Sequence, residues 1–145
     1  MEKQYRNIYQ IPREATGFTQ EKASELLDIS VESLRAYESG KRIPPDRVVL
    51  KMIEIYNATY LAYQHLKSSA EVGQKYLPDI AIQSLPISIL KLQKEMKDFA
   101  DMEFKLIEIG SDGIIEDSEL KDWNAIMKEL DDIVNAIMAL KFSKR

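Results

Sequence analysis

The sequence predicts an all-α protein. Apolar residues recur mainly at steps of three and four, and few segments alternate with period two. Residues that cap helices repeatedly precede these apolar runs, and glycine repeatedly follows them. The chain also contains five prolines and five glycines in 145 residues, enough to punctuate several short helices.

The first helix is expected over 5–15, with Ile8, Tyr9 and Ile11 as its apolar positions. Pro12 loses a backbone donor and clashes one turn back, so it predicts a kink or a late start. Gly17 ends the element. Thr19 suits the cap of a second helix, and Glu21 suits its positive end. Ala23, Leu26 and Leu27 then form an apolar stripe, which Asp28 breaks. Ser30 caps a third helix in which Val31, Leu34 and Tyr37 recur every three residues, and Gly40 is its stop. Two prolines precede a fourth helix over 46–56, with Val49, Met52, Ile53 and Tyr56 inward. A fifth runs over 59–68. Tyr56, Tyr60 and Tyr63 lie at helical spacing and are expected to pack.

The stretch "KSSAEVGQKYLPDIAIQSLP" is less regular and predicts a junction over 69–85 between two halves. Beyond it Leu85, Ile89, Leu92, Met96, Phe99 and Leu106 fall on alternating steps of four and three, with Glu103 interrupting. That is a heptad seam. After "GSDG", Trp123, Met127, Leu130, Val134 and Ile137 repeat it, with Ile126, Ile133 and Leu140 widening the face. Two such helices joined by a short turn predict an antiparallel hairpin over 86–145. Its seams can form a core within one chain, a dimer interface, or both.

Composition narrows the function. Hydrophobic residues make up 45% and charged residues 30%, so a folded globular chain is expected. No apolar run approaches the ~18 residues of a membrane span, and no signal core opens the chain. Cysteine is absent, which removes disulfides, thiol nucleophiles and thiolate metal sites, and a cytoplasmic location is expected. With one histidine, His65, neither a histidine-based triad nor a multi-histidine metal site can be built. His65 itself is expected at the surface or its boundary. An enzyme is not expected, and no cofactor, metal or small-molecule substrate is implied. The net charge is −4, and it is unevenly spread. Residues 1–66 hold nine basic and nine acidic side chains, while 67–145 hold eleven and fifteen. A neutral half can still bind DNA when its cations share one face.

The stretch "DISVESLRAYESGKRIPP" bears on that point. Two helices of about eight residues joined by a three-residue turn make a helix-turn-helix. Close crossing needs a small residue at the fifth position counted from Gln20, and Ser24 is there. Leu27 fills the apolar eighth position. The turn needs a residue that tolerates a left-handed backbone, and Asp28 does so better than most. Ile29 plugs the core, while Leu34 and Tyr37 anchor the second helix.

On these residues, "GFTQEKASELLDISVESLRAYESGKRIPP" resembles the Cro/C1-type, or XRE, helix-turn-helix family. The marks are Thr19-Gln20-Glu21, the Ile29-Ser30 turn, Leu34, and "YESGKRIPP", which is similar to the family's E-x-G-x-x-x-P ending. The resemblance covers about residues 5–66. It implies a five-helix, lambda-repressor-like DNA-binding domain, placed here at 1–68, and commonly a homodimer that reads a two-fold site. The full chain also resembles regulators of phages and mobile elements in which this domain precedes a helical C-terminal half.

Carried over position by position, the resemblance places Thr19 and Gln20 at DNA-backbone contacts. Ser30 opens the recognition helix, and Val31, Glu32, Ser33, Arg35 and Ala36 occupy its exposed positions. Arg35 suits guanine or a phosphate, Glu32 a cytosine amino group and Val31 a thymine methyl. Lys41 and Arg42 follow the glycine and suit phosphates, with Lys22 and Arg47 second to them. One arginine and one carboxylate are few polar forks for this face, so either modest sequence specificity or a contribution from DNA shape is expected.

"EIGSDGIIEDSE" also resembles an EF-hand calcium loop, since Asp112, Gly113, Glu116 and Glu119 match positions five, six, nine and twelve. Position three is Gly110, so a hard cation lacks a first-turn carboxylate. A tight turn allowed by Gly110 and Gly113, with Asp117 or Ser118 capping the last helix, fits better. The expected function is sequence-specific binding of double-stranded DNA in transcriptional regulation, as a repressor. The rival is an interaction module that keeps the fold without tight DNA binding.

Overall fold

The computed structural model describes residues 7–143, and every regular element among them is helical. The chain divides between Leu77 and Pro78 into two compact units. The first holds α1 (Gln10–Thr16), α2 (Gln20–Leu27), α3 (Val31–Glu38), α4 (Asp46–Tyr56), α5 (Tyr60–Ser69) and α6 (Glu71–Tyr76). The second holds α7 (Leu85–Ala100), α8 (Glu103–Gly110), a single 3-10 turn (Asp117–Glu119) and α9 (Leu120–Lys141). No helix among the described residues is long and apolar enough to cross a membrane.

In the first unit α4 packs on α1, α2 and α5. Ala23, Leu27, Leu34, Val48, Val49, Met52 and Leu61 fill the core beneath Tyr9, Tyr37 and Tyr56. The expected first helix starts late. Pro12 therefore falls in the first turn of α1, where its missing N–H has no intrahelical acceptor to lose. Positions 5 and 6 of the expected span lie outside the described residues. Ile11 and Leu26, read as apolar positions of their helices, are exposed. Arg13, one turn after Tyr9, and Ser24, one turn before Asp28, take the inward places instead.

Arg13 turns its guanidinium into the interior. Its Nε donates to Glu38 Oε1 at 2.6 Å, its Nη2 donates to Glu38 Oε2 at 3.1 Å, and its Nη1 donates to the Phe18 carbonyl at 2.6 Å. Both partners are buried, so neither can exchange the other for water. The Glu38 carboxylate holds the Arg13 guanidinium above its already high range. Burial, aided by the Glu38 charge, pushes the neighbouring Tyr56 phenol up.

His65 is buried, not at the boundary where the sequence put it, and its two nitrogens are both engaged. Nε2 lies 3.0 Å from Asp46 Oδ1 and Nδ1 lies 2.8 Å from the Tyr9 hydroxyl. A carboxylate only accepts, so Nε2 carries the proton, and in the neutral ring Nδ1 accepts from Tyr9. Burial pushes the Tyr9 phenol up. One imidazole on α5 thus joins Tyr9, the residue before α1, to Asp46, the first residue of α4. Tyr60 and Tyr63 stack on each other, so they pack as expected from their spacing.

The junction read as irregular contains α6. Gly73 is what lets it fold back on α5. A Cβ there would lie 2.2 Å from the Leu66 carbonyl oxygen, so only glycine allows this approach. Lys67 Nζ then donates to the Leu77 carbonyl at 2.7 Å.

In the second unit the long seam is broken at Asp101 and Met102, just before Glu103, and α7 packs along α9. The packed face differs from the heptad seam. Ser88 (1% exposed), Glu95, Ala136 and Ala139 are buried, whereas Leu85, Ile89, Met96, Val134 and Ile137 remain exposed. The register follows from size. Ala136 and Ala139 are the small residues of α9's C-terminal half, and small side chains there permit a close approach. Ile109 of α8 and Ile126 of α9 are also buried, and Trp123 is half-buried. The turn is tight, with Gly113 at φ 76 and its N–H donating to the Gly110 carbonyl. Neither Asp117 nor Ser118 caps the last helix. Glu116 caps the 3-10 turn that leads into it, in a reciprocal box with Glu119.

These contacts set two expectations for stability. Glu38→Ala leaves the buried Arg13 charge without its bidentate partner, with only Glu14 at 3.9 Å, and should cost about 3–5 kcal/mol in urea unfolding. The double replacement Arg13→Met with Glu38→Leu should cost clearly less; an equal loss would mean that packing at these sites, not the charge left without its partner, sets the cost. Asp28, at φ 57, sits where a β-branched residue is strained. Asp28→Val should cost about 1–2 kcal/mol, and Asp28→Gly should stay within about 1 kcal/mol of the parent.

Candidate nucleic-acid interface

The turn between α2 and α3 is built by backbone rules before any ligand is considered. Asp28 adopts the left-handed conformation, and the Ile29 N–H donates to the Ser24 carbonyl at 3.1 Å. This closes α2 in a Schellman-type motif. Ser24 is buried, as the close crossing of α2 and α3 requires. Thr19 Oγ1 accepts from the Lys22 N–H, and Ser30 Oγ accepts from the Ser33 N–H, so both helices are capped by the residues expected to cap them.

Helix α3 buries Leu34, Tyr37 and Glu38. The opposite line therefore runs through Glu32 and Ala36, four residues apart. Glu32 is exposed and Ala36 is half-buried, as is Val31 at the helix start. Two arginines flank this line, each held by its neighbours. Arg35 leans toward α2. Its Nε donates to Gln20 Oε1 at 3.2 Å and its Nη2 donates to Glu21 Oε1 at 3.2 Å. Arg42 leans in from the other side. Its Nη2 donates to Ser33 Oγ at 2.9 Å, and its guanidinium carbon lies 5.3 Å from the centre of the Tyr37 ring. Lys41 is exposed beside it.

The residues singled out in the sequence thus fall into two groups. Gln20, Ser33, Arg35 and Arg42 join side chains across the α2–α3 surface, with Ser30 bonded to Ser33 at 2.9 Å. Thr19, Val31, Glu32, Ala36 and Lys41 line the same surface without joining that network. Thr19 is engaged in capping. Three participants escaped the sequence reading. Glu21 was assigned only to the helix end, yet its carboxylate meets Arg35. Tyr37 was assigned to the core, yet one ring face seats Arg42. Glu38 was noted as part of a motif, yet it also accepts from Gln20 Nε2 at 2.8 Å. The usable signal was spacing, because Gln20 and Glu21 open the helix that α3 crosses.

Away from this surface, one acidic group brings carboxylate oxygens of Glu95, Glu129 and Asp132 within 4.8 Å of one another. Lysines sit against it. Lys128 Nζ lies 3.0 Å from Asp132 and Lys94 Nζ lies 3.8 Å from Glu95. Carboxylate neighbours, Asp132 for Lys128 and Asp98 for Lys94, hold both ammonium groups above their ordinary range.

Comparison with known proteins agrees with the geometry of the first unit. Residues 13–63 match a family model described as helix-turn-helix. The chain is also 30% identical over 83 residues to the HTH-type transcriptional regulator ImmR of Bacillus subtilis (strain 168). That match takes in 57% of this chain and 63% of ImmR, so the chain spans just under two thirds of this curated relative. No solved structure matches significantly. The matched stretch runs from Arg13, the buried end of the ion pair, through both helices of the motif and into α5.

Proposed function

We propose that the chain is a DNA-binding transcriptional regulator that lays α3 in the major groove of duplex DNA. The observation that carries this reading is the surface of α3, a narrow line of small and acidic side chains between two arginines seated by hydrogen bonds. The domain family and the description of ImmR as a transcriptional regulator support it. In this reading the N-terminus of α2, with Thr19 and Gln20, faces one phosphate strand, and Lys41 with Arg42 faces the other. Glu32 accepts from a base amino group, Val31 meets a thymine methyl, and Ala36 is small enough to let the helix approach. Occupying an operator excludes other proteins from it, so repression is the regulatory sense proposed.

A homodimer fits the same reading, since two copies of α3 would meet a two-fold site. The proposed contact is the apolar stripe of α7, through Leu85, Ile89 and Met96, which the packing on α9 leaves exposed. Replacing Ile89 and Met96 together by Asp should halve the mass in sedimentation equilibrium with no loss of folded signal. An unchanged mass would remove this surface from the dimer.

Selection of bound sequences from a random duplex pool tests the main reading. A two-fold consensus is expected, and affinity should fall steeply as salt rises. Lys41→Ala should weaken all sequences alike and reduce the salt slope by about one. Arg35→Ala should cost about 1–3 kcal/mol at one selected base pair. If the wild-type chain shifts no duplex at low salt, the interaction-module reading replaces this one.

A further inference from the structure

Glu21 is the acidic residue that the proposed DNA-binding surface does not explain. Its side chain is 67% exposed, it lies in the first turn of α2, and it meets the one basic side chain of α3. A carboxylate beside a phosphate strand is repulsive, so its presence needs a reason. We propose that Glu21 is an affinity-limiting residue of this surface: it holds Arg35 until a DNA acceptor better than a carboxylate displaces it. The inference rests on the DNA-binding reading above.

Gln20 sets the arrangement. One end of its amide meets Glu38, which only accepts, and the other meets Arg35, which only donates. Nε2 must therefore face Glu38 and Oε1 must face Arg35, and no flipped arrangement satisfies both. Glu38 is itself held by Arg13. The chain of bonds from the interior thus aims Oε1 outward and draws the Arg35 Nε to it. Glu21 then takes Nη2. With Nε and Nη2 both engaged, the arginine lies along α2.

An exposed ion pair of this kind is weak, so it is an exchangeable hold. On random duplex the alternative is a single phosphate oxygen, and release of Arg35 gains little. On a site with guanine in register, O6 and N7 accept two bonds in parallel, and release gains more. Breaking the pair costs the same at any site where Arg35 is released, so Glu21 lowers binding to the selected site by at least as much as binding to random duplex.

The test uses the full chain, with fluorescence anisotropy on a random-sequence duplex and on the selected site. The variants are Glu21→Gln, Arg35→Ala, their combination, and Glu54→Gln, an equal charge change on α4. Glu21→Gln should tighten binding to random duplex by about 3- to 5-fold at low salt. It should steepen the salt slope by about one and tighten binding to the selected site by at least as much. In the Arg35→Ala background the same replacement should do nothing, and Glu54→Gln should do nothing in either. A gain that persists without Arg35, an equal gain from Glu54→Gln, or no gain at all overturns the proposal. These results are distinct from failure of the DNA-binding reading, in which the wild-type chain binds neither duplex.

Discussion

A guanidinium and a carboxylate, both shut away from water, hold the first unit in register. Removing Arg13 and Glu38 from solvent is costly, and their attraction repays this only with good geometry and further bonds. Both conditions are met. The pair is bidentate, Glu38 takes a third bond from Gln20, and Arg13 gives one to the Phe18 carbonyl. Those partners belong to the middle of α1, the loop before α2, the first residue of α2 and the last residue of α3. Apolar contacts tolerate small rotations of a helix, whereas a forked ion pair does not. The angle at which α3 leaves the domain is therefore set by charge as much as by packing.

The surface inherits this order. Gln20 stands with its amide nitrogen on the interior pair and its oxygen on Arg35, so a buried charge orients an exposed one. On the other flank Tyr37 has two duties. It is buried with the core, and its ring supports Arg42, which also bonds to Ser33. A guanidinium restrained in this way loses less freedom on meeting a ligand than a free lysine does. The two halves of the surface are thus prepared differently, with Arg35 and Arg42 seated while Lys41 and Glu32 lie open to solvent.

What the sequence disclosed depended on range. Caps, stops and the left-handed turn are decided by residues a few positions apart, so Thr19, Ser30, Asp28 and the bounds of α4 could be read directly. Partners far along the chain could not. Nothing near Arg13 announces Glu38, and nothing near His65 announces Tyr9 or Asp46, so the buried arginine went unremarked and the histidine was placed outside. Periodicity identified the apolar stripes of α7 and α9 but not the faces that meet. Ser88 and Glu95, neither of them apolar, are buried in this unit, as are Ala136 and Ala139, and such a face is invisible to a count of hydrophobic residues. Helix α6 was hidden for a related reason. Gly73 looks like a breaker, yet here it is the contact.

One aromatic and one imidazole happen to be shared out between the units. Trp123 is the only tryptophan and lies in α9, while His65 is the only histidine and lies in α5. Indole emission therefore reads the surroundings of α9, and the imidazole proton resonances read those of α5. The melting of each portion can be watched in the intact polypeptide, without labels and without cutting the chain.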